Sequence, residues 1–215
     1  MTTHLCFHGI GVNVKERELG ESHHWVTRDN FLRALDIVGQ RDVVISFDDG
    51  NRSDIEVALP ALQERGLHAT FFALAGRLGD PDSLSPGDLR ALRAAGMDIG
   101  THGWSHVPWR GLSEADTQRE LFDARAALVE ASAGPINLAA LPLGRYDRQL
   151  LGRLKTAKYE TVFTSDRYRS QRGAWMQARY SATESDTAES FRQIIEHPRG
   201  RADVRNQAAS MIKRL

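Results

Sequence analysis

The sequence is poor in cysteine and contains no long apolar run. Its 215 residues include one cysteine, Cys6, so an internal disulfide is impossible. Cys6 lies in the short apolar run Leu5–Phe7, which favours a small buried hydrophobe and fits a reducing compartment. No stretch is apolar for long enough to form a membrane-spanning helix. The sequence therefore excludes a disulfide-stapled scaffold and predicts no membrane span.

A net charge is missing as well. The 28 basic and 28 acidic side chains give a formal charge of +0, so no global field would attract nucleic acid or an anionic bilayer. Hydrophobic residues at 41% and charged residues at 26% are typical of an ordered globular domain. The N-terminus lacks the basic and apolar regions of a secretory signal, so we expect a cytoplasmic protein. No sequence feature specifies the oligomeric state.

Short apolar runs rich in β-branched and aromatic residues alternate with longer helical patterns. This alternation is typical of repeated βα units that form a parallel sheet, which can be either a barrel of six to eight strands or an open doubly wound sheet. In both, functional side chains gather at the C-terminal ends of the strands. The predicted strands are Leu5–Ile10, Val43–Phe47, Ala69–Leu74, Met97–Gly100, Leu138–Leu141 and Thr161–Thr164.

Local signals predict where the helices begin and end. Ser53 with Glu56 has the spacing of a capping box, Ser85 precedes a proline, and Ser113 begins a long helix that Gly134 ends. We expect one domain over residues 1–215. Within it, residues 186–215 form a C-terminal helical extension with Phe191, Ile194 and Ile195 on one face.

Two adjacent carboxylates follow the second predicted strand. Asp48 and Asp49 precede Gly50, and two neighbouring acids repel each other unless a cation is close. The pair therefore indicates a metal ligand or a catalytic base. A capped turn before a helix is the alternative interpretation.

Two histidines follow the fourth predicted strand. His102 and His106 are four residues apart, a spacing that can turn both imidazoles toward one ion. Two partly exposed loop histidines are the alternative. Together with Asp49 they would give a site of one carboxylate and two imidazoles with open positions for water.

These motifs resemble those of the polysaccharide deacetylases with a NodB homology domain, also called carbohydrate esterase family four. The resemblance extends from about Leu5 to Tyr180 and is carried by SFDDG (46–50), THGWSH (101–106) and ALPALQERGLHATFFALAGRL (58–78). It implies a distorted (β/α) barrel of about seven parallel strands. The implied activity is metal-dependent removal of an N-acetyl group from an acetamido sugar, in an oligo- or polysaccharide or its precursor. The implied metal is zinc, with cobalt, nickel or manganese as alternatives.

The resemblance also assigns roles to individual residues. It makes Asp49, His102 and His106 the metal ligands and Asp48 the general base that takes a proton from the attacking water. The third family motif, usually Arg-Pro-Pro-Tyr-Gly, reads ALPLG at 140–144. The backbone N–H of Leu143 would then stabilise the oxyanion, as the resemblance implies for the tyrosine position.

Two family residues have no direct match. The motif arginine is absent, and we interpret Arg179, which is placed like an arginine on a late strand in some branches, as the substitute that orients Asp48. Packing of its stem over the barrel edge is the alternative. For the histidine that protonates the leaving amine, His8 after the first strand is a better candidate than His197, which follows a helical pattern. A structural role is the alternative for His8.

Three functions follow from these patterns. The first is the sugar deacetylase, and the second is hydrolysis of another amide or imide that fits the same site. The third is a carbohydrate- or metal-binding relative without turnover, which the missing arginine and histidine leave open. The sequence does not specify the glycan.

Overall fold

The protein is built on a parallel β-sheet, as seen in a computed structural model that describes residues 1–39, 42–196 and 200–214. The strands in chain order are β1 (Thr3–Phe7), β2 (Gly9–Ile10), β3 (Trp25–Val26), β4 (Val43–Asp49), β5 (Ala69–Ala73), β6 (Asp98–Thr101), β7 (Leu138–Ala140), β8 (Thr161–Thr164), β9 (Met176–Ala178) and β10 (Tyr180–Ser181). Within the described ranges the main sheet has eight strands, in the order β10-β1-β4-β5-β6-β7-β8-β9, and β2 pairs with β3 apart from it.

The sheet closes almost completely on itself. Strands β9 and β10 occupy its opposite edges, yet Arg179 is the single residue between them in the chain. The edges must therefore lie side by side, which gives a nearly closed barrel and excludes the open doubly wound sheet. The barrel prediction is confirmed, with eight described strands where about seven were expected. The additional strands are too short to show a periodic pattern.

Helices surround the barrel, and two of them continue from π-helical segments. Within the described residues no helix is both long and apolar enough to cross a bilayer. The α-helices are α1 (Arg28–Val38), α2 (Leu59–Glu64), α3 (Pro86–Ala94), α4 (Glu114–Thr117), α5 (Ala124–Ser132), α6 (Arg148–Thr156), α7 (Ala188–Glu196) and α8 (Arg201–Ile212). The π-helical segments are Asp54–Ala58 before α2 and Gln118–Asp123 before α5.

A ladder of phenylalanines fixes which way the β4 side chains face. Phe7, Phe47 and Phe71 are paired across β1, β4 and β5, and the rings of Phe47 and Phe71 stack with centroids 4.7 Å apart. Phe47 also contacts Phe31 of α1, so this face of the strand packs against the helices. Because side chains alternate along a strand, Asp48 faces the barrel interior.

The helix boundaries confirm part of the local predictions. Ser85 forms a capping box with Asp88, and Ser113 caps α4. The predicted capping box at Ser53 is wrong, because the Ser53 hydroxyl instead accepts a hydrogen bond from the Ile10 backbone N–H at 3.2 Å. The helix that Gly134 was expected to end with a left-handed glycine ends one residue earlier, because the left-handed residue after α5 is Ala133, with φ 53°.

The C-terminal region is helical, as the pattern predicts. Phe191 and Ile195 of α7 are buried, and Ile194 packs partly against the same core. His197, the weaker candidate for the amine-protonating residue, lies outside the described residues.

Candidate functional site

A cavity of about 470 Å³ opens at the C-terminal ends of the barrel strands. It is bounded by the loops that follow several strands and by the loop between β2 and β3. Within the part of the chain that the structure describes, every site residue predicted from the sequence lines it. These residues are His8, Asp48, Asp49, His102, His106, Leu143 and Arg179.

Asp49, His102 and His106 converge on one point. Asp49 Oδ1 lies 3.6 Å from His102 Nε2 and 3.5 Å from His106 Nε2. One potential ligand atom from each of the three lies within 4.8 Å of the other two. Asp49 Oδ1 is buried without a hydrogen-bond partner among the described residues, and such an oxygen is costly unless it is paired. One carboxylate and two imidazoles therefore fit a divalent first-row metal with open coordination positions.

Hydrogen bonds orient both histidine rings. His102 Nδ1 lies 2.9 Å from the Ala140 carbonyl oxygen, which can only accept. Burial lowers the pKa of His102 to about 4, so its ring is neutral near pH 7 and its Nε2 lone pair faces Asp49. His106 Nδ1 lies 2.6 Å from Glu18 Oε2. A carboxylate behind an imidazole fixes the ring as in many metal sites.

The backbone of the loops that carry Asp49 and His106 adopts uncommon conformations. Asp49 and His106 have φ of 75° and 57°, values that side-chain-bearing residues adopt at a cost of roughly 1–3 kcal/mol each. Glu120, in the second π-helical segment, holds the histidine loop, because its carboxylate accepts hydrogen bonds from the backbone N–H groups of Trp104 at 2.7 Å and Ser105 at 3.1 Å. Packing elsewhere in the fold thus maintains the strained loop.

Arg179 forms a two-pronged ion pair with Asp48. Its Nη1 and Nη2 each donate to one carboxylate oxygen at 2.7 Å, and Nη1 also donates to Ser46 Oγ at 3.0 Å. Both charged side chains are almost fully buried. Burial opposes ionisation of Asp48, but the adjacent guanidinium outweighs it and holds the pKa of Asp48 well below its usual range. The structure therefore brings together the arginine and the aspartate that the sequence paired by hypothesis.

Leu143 also lines the cavity. It belongs to the turn Pro142–Gly144, has a left-handed backbone at φ 55° and exposes 54% of its surface. This placement is compatible with the predicted oxyanion role of the Leu143 N–H.

His8 has a neighbour that sequence reasoning did not identify. The rings of His8 and His24 lie 4.7 Å apart, and both line the cavity. Their Nδ1 atoms are buried with no hydrogen-bond partner in the described part of the chain. Burial, followed by the nearby His8, lowers the pKa of His24. Two imidazoles, rather than one, therefore stand beside Asp48 and Asp49.

Glu18 and Glu120 are further site residues that the sequence did not reveal. Glu18 binds both His106 and Arg77, and it lies 88 positions before the histidine. Its surroundings in the chain are polar and carry no motif. Glu120 lies in a helical pattern in which a buried acid cannot be told from an exposed one. Only tertiary structure connects either residue to the site.

Comparison with known proteins places the chain among deacetylases. A family model described as polysaccharide deacetylase matches residues 36–162. Bacillus subtilis YxkH is 24% identical over 127 residues, which are 59% of this chain and 46% of that protein. The B. subtilis peptidoglycan-N-acetylmuramic acid deacetylase PdaC is 27% identical over 117 residues, 54% of this chain and 24% of that protein. The chain thus matches less than half the length of either curated relative.

Solved structures share the fold. Streptococcus pyogenes deacetylase PplD, solved with acetate, has a TM-score of 0.79 and 19% identity over 91% of this chain and 98% of that chain. BC0361, a polysaccharide deacetylase from Bacillus cereus, has a TM-score of 0.77 and 15% identity over 91% of this chain and 69% of that one. At these identities the similarity supports the barrel architecture.

Proposed function

Because the chain belongs to the polysaccharide deacetylase family, we propose that it is a metal-dependent hydrolase that removes the N-acetyl group from an acetamido sugar. The observation that carries this proposal is the convergence of Asp49, His102 and His106 on one buried point in the cavity. The substrate is an oligo- or polysaccharide, or a precursor of one. Acetate is the second product.

Zinc is the metal that we propose, with cobalt, nickel and manganese as alternatives. Imidazole and carboxylate ligands suit each of these ions. When bound, a divalent cation would polarise the acetamide carbonyl and lower the pKa of water toward neutrality. Asp49 would supply the carboxylate ligand, and His102 and His106 would supply Nε2 ligands.

The protein's own groups would carry the remaining chemistry. Asp48, held ionised by Arg179, takes the proton from the water that attacks the carbonyl carbon. The Leu143 N–H donates to the carbonyl oxygen as negative charge develops there. We assign protonation of the departing amine to His8, with His24 beside it. The C–N bond then breaks, and the products are a free amino sugar and acetate.

Metal content and acetate release test the proposal together. Wild-type protein and the Asp49→Ala variant would be purified without chelator, analysed for bound metal and assayed with chitooligosaccharides. We expect about one metal per wild-type chain with acetate release, and loss of both in the variant. Asp82→Ala, which alters an exposed acid away from the cavity, is the matched control. Metal-free wild type that releases acetate at the same rate would contradict the proposal.

Two other outcomes would identify the alternatives. Metal binding without hydrolysis of any amide would indicate a binding relative. Hydrolysis of a different amide or imide, without hydrolysis of acetamido sugars, would indicate that the same site acts on another substrate.

A further inference from the structure

Most charged side chains that line the cavity have a partner of opposite charge. Four acids and four arginines line it, and ion pairs account for three of the acids and two of the arginines. Asp49 is the remaining acid and faces the two histidines. The ion pairs are Glu18–Arg77, Glu21–Arg17 and Asp48–Arg179. Two arginines of the lining, Arg145 and Arg167, have no carboxylate partner among the described residues.

Arg145 is available to a ligand. It follows the turn that carries Leu143, its side chain is exposed, and within the described residues its guanidinium makes no hydrogen bond or ion pair. Asp147, the nearest acid in sequence, is already engaged. It accepts a hydrogen bond from the Leu150 backbone N–H at 2.9 Å and pairs with Arg110 at 3.4 Å.

Arg167 is held in place by its backbone. Its φ is 55°, its N–H donates to the Arg179 carbonyl oxygen at 3.0 Å, and its own carbonyl oxygen accepts from Asn206 Nδ2 at 2.9 Å. One guanidinium nitrogen donates to the Ser181 carbonyl oxygen at 2.8 Å. The side chain therefore borders the cavity with most of its N–H donors unused.

Asp166, the acid next to Arg167, cannot neutralise it. The Asp166 carboxylate accepts from the Tyr146 hydroxyl at 2.5 Å, from Thr164 Oγ1 at 2.9 Å and from Lys213 Nζ at 2.5 Å. This carboxylate is thus turned away from the cavity and already paired with a cation. The loops after β7 and β8 consequently present positive charge to the cavity that the fold itself does not balance.

We propose that Arg145 and Arg167 form a subsite for a phosphate group carried by the acetamido sugar. This inference rests on the proposed function and deepens it by naming an anionic substrate class. Two guanidinium groups offer forked N–H donors that match phosphate oxygens. Occupation of the Asp49 site by a divalent cation would leave the cavity still more positive.

Equilibrium binding tests the subsite independently of turnover. Titration calorimetry would compare N-acetylglucosamine 1-phosphate with N-acetylglucosamine on the full chain, with and without added zinc. We expect the phosphate to tighten binding on the order of tenfold or more, and Arg145→Gln combined with Arg167→Gln to abolish that difference. Arg148→Gln, which removes an exposed charge near Arg145 outside the cavity lining, should leave it unchanged. Arg145→Gln alone should reduce the difference without affecting the fold, because the Arg145 guanidinium makes no hydrogen bond or ion pair within the described residues.

The outcomes separate the possibilities. Equal affinity for the two sugars would overturn the subsite. The subsite would also be overturned if the double variant still bound the phosphate sugar more tightly and a chelator removed that preference, because the metal would then hold the anion. Stronger binding of the carboxylate of N-acetylmuramic acid overturns the phosphate assignment. A farnesyl phosphodiester of the same sugar, compared with the soluble sugar 1-phosphate, shows whether the natural substrate is lipid-linked or soluble. Tight binding of either compound supports the subsite. Phosphate-dependent binding without acetate release would contradict the proposed function and leave the subsite standing.

Discussion

At the scale of single residues, Asp48 depends on a cation supplied 131 positions later in the chain. The arginine position of the family's third motif is Ala140 in this chain, and Arg179 lies beside the Asp48 carboxylate instead. The two-pronged geometry fixes the orientation of Asp48 as well as its charge. The proposed base is therefore held in one orientation in the wall of the cavity.

Replacing Arg179 with Met tests this dependence. We expect deacetylation to fall by ~10²-fold, within the range that a general base contributes. Arg179 lowers the pKa of Asp48, so its removal raises that pKa, and the acidic limb of the pH–rate profile moves to higher pH. The measurement is kcat/KM against pH.

Arg179→Lys is the control, because it keeps the positive charge but loses the two-pronged contact with Asp48. This variant should retain part of the activity. Breaking a buried ion pair costs about 3–5 kcal/mol, so thermal unfolding must show that each variant is folded at the assay temperature. Turnover of a folded Met variant at the wild-type rate would remove Arg179 from the mechanism.

Glu18 offers a second prediction at this scale. Its carboxylate contacts His106 Nδ1, and loss of such a partner typically weakens metal binding 10- to 100-fold. We therefore expect Glu18→Gln to raise the zinc dissociation constant by that factor in a chelator-competition assay. Glu16→Gln removes the same charge from an exposed position in the same loop and should leave zinc affinity intact. Equal affinities in the two variants would show that Glu18 does not orient the ring.

The sequence predicts the residues of the site better than the contacts among them. Asp48, Asp49, His102 and His106 lie in compact motifs, so strand-end logic was sufficient to bring them to one cavity. Glu18 and His24 belong to a polar loop without a motif, and their roles depend on how that loop folds back over the barrel. A sequence pattern records local spacing and holds no information on such long-range contacts.

At the scale of elements, the second π-helical segment connects helix packing to the loop that carries the proposed metal ligand His106. Glu120 is buried there, and its carboxylate is the acceptor for two backbone N–H groups of the loop that carries His106. Gly103, in the same loop, has φ 90°, and a Cβ at that position would lie 2.5 Å from Glu120 Oε2. The loop and the helix therefore fit only if residue 103 has no side chain.

Removal of the Glu120 carboxylate should be costly. Glu120→Ala leaves two N–H groups without their acceptor, and we expect a loss of about 2–4 kcal/mol in the free energy of unfolding together with weaker zinc binding. Chemical denaturation and zinc titration would measure the two effects. Glu130→Ala, on the exposed face of α5, should change neither. Stability within 0.5 kcal/mol of wild type would show that water replaces the carboxylate fully.

The elements themselves were predictable to different degrees. Six strands of the main sheet followed from runs of β-branched and aromatic residues, since buried parallel strands need such runs. The first prediction, one strand over Leu5–Ile10, was wrong in extent, because the chain divides there into β1 and β2, which belong to different sheets. Strands β3, β9 and β10 have two or three residues each and leave no periodic signal. The sequence also failed to predict the π-helical segments, and it wrongly predicted a helix cap at Ser53. In both cases tertiary contacts override the local helix preference.

At the scale of the whole molecule, buried histidines make stability depend on pH. Burial, followed by the charge of Arg179, lowers the pKa of His4 to about 4. The unfolded chain takes up this proton near pH 6.5, so the stability contributed by neutral His4 is present above that pH and is lost as the pH falls toward 4. At ~1.4 kcal/mol per pKa unit, the loss approaches ~3 kcal/mol.

The His4→Asn variant should lack this part of the pH dependence. Urea denaturation of metal-free protein from pH 7 to pH 4 would give the free energy of unfolding of both proteins, with His102 and His106 common to each. We expect the difference between wild type and variant to shrink or change sign as the pH falls. His68→Asn, at an exposed histidine, should run parallel to wild type. Parallel curves for His4→Asn would contradict the assignment.

The junction between β9 and β10 has a consequence for how the molecule matures. Asp48, Asp49, His102 and His106 all precede it in the chain, so a growing polypeptide contains every proposed ligand while the proposed base still lacks its counter-charge. Residue 179 reaches Asp48 only when the last strands close the ring. Closure of the barrel and completion of the Asp48–Arg179 ion pair are therefore one event.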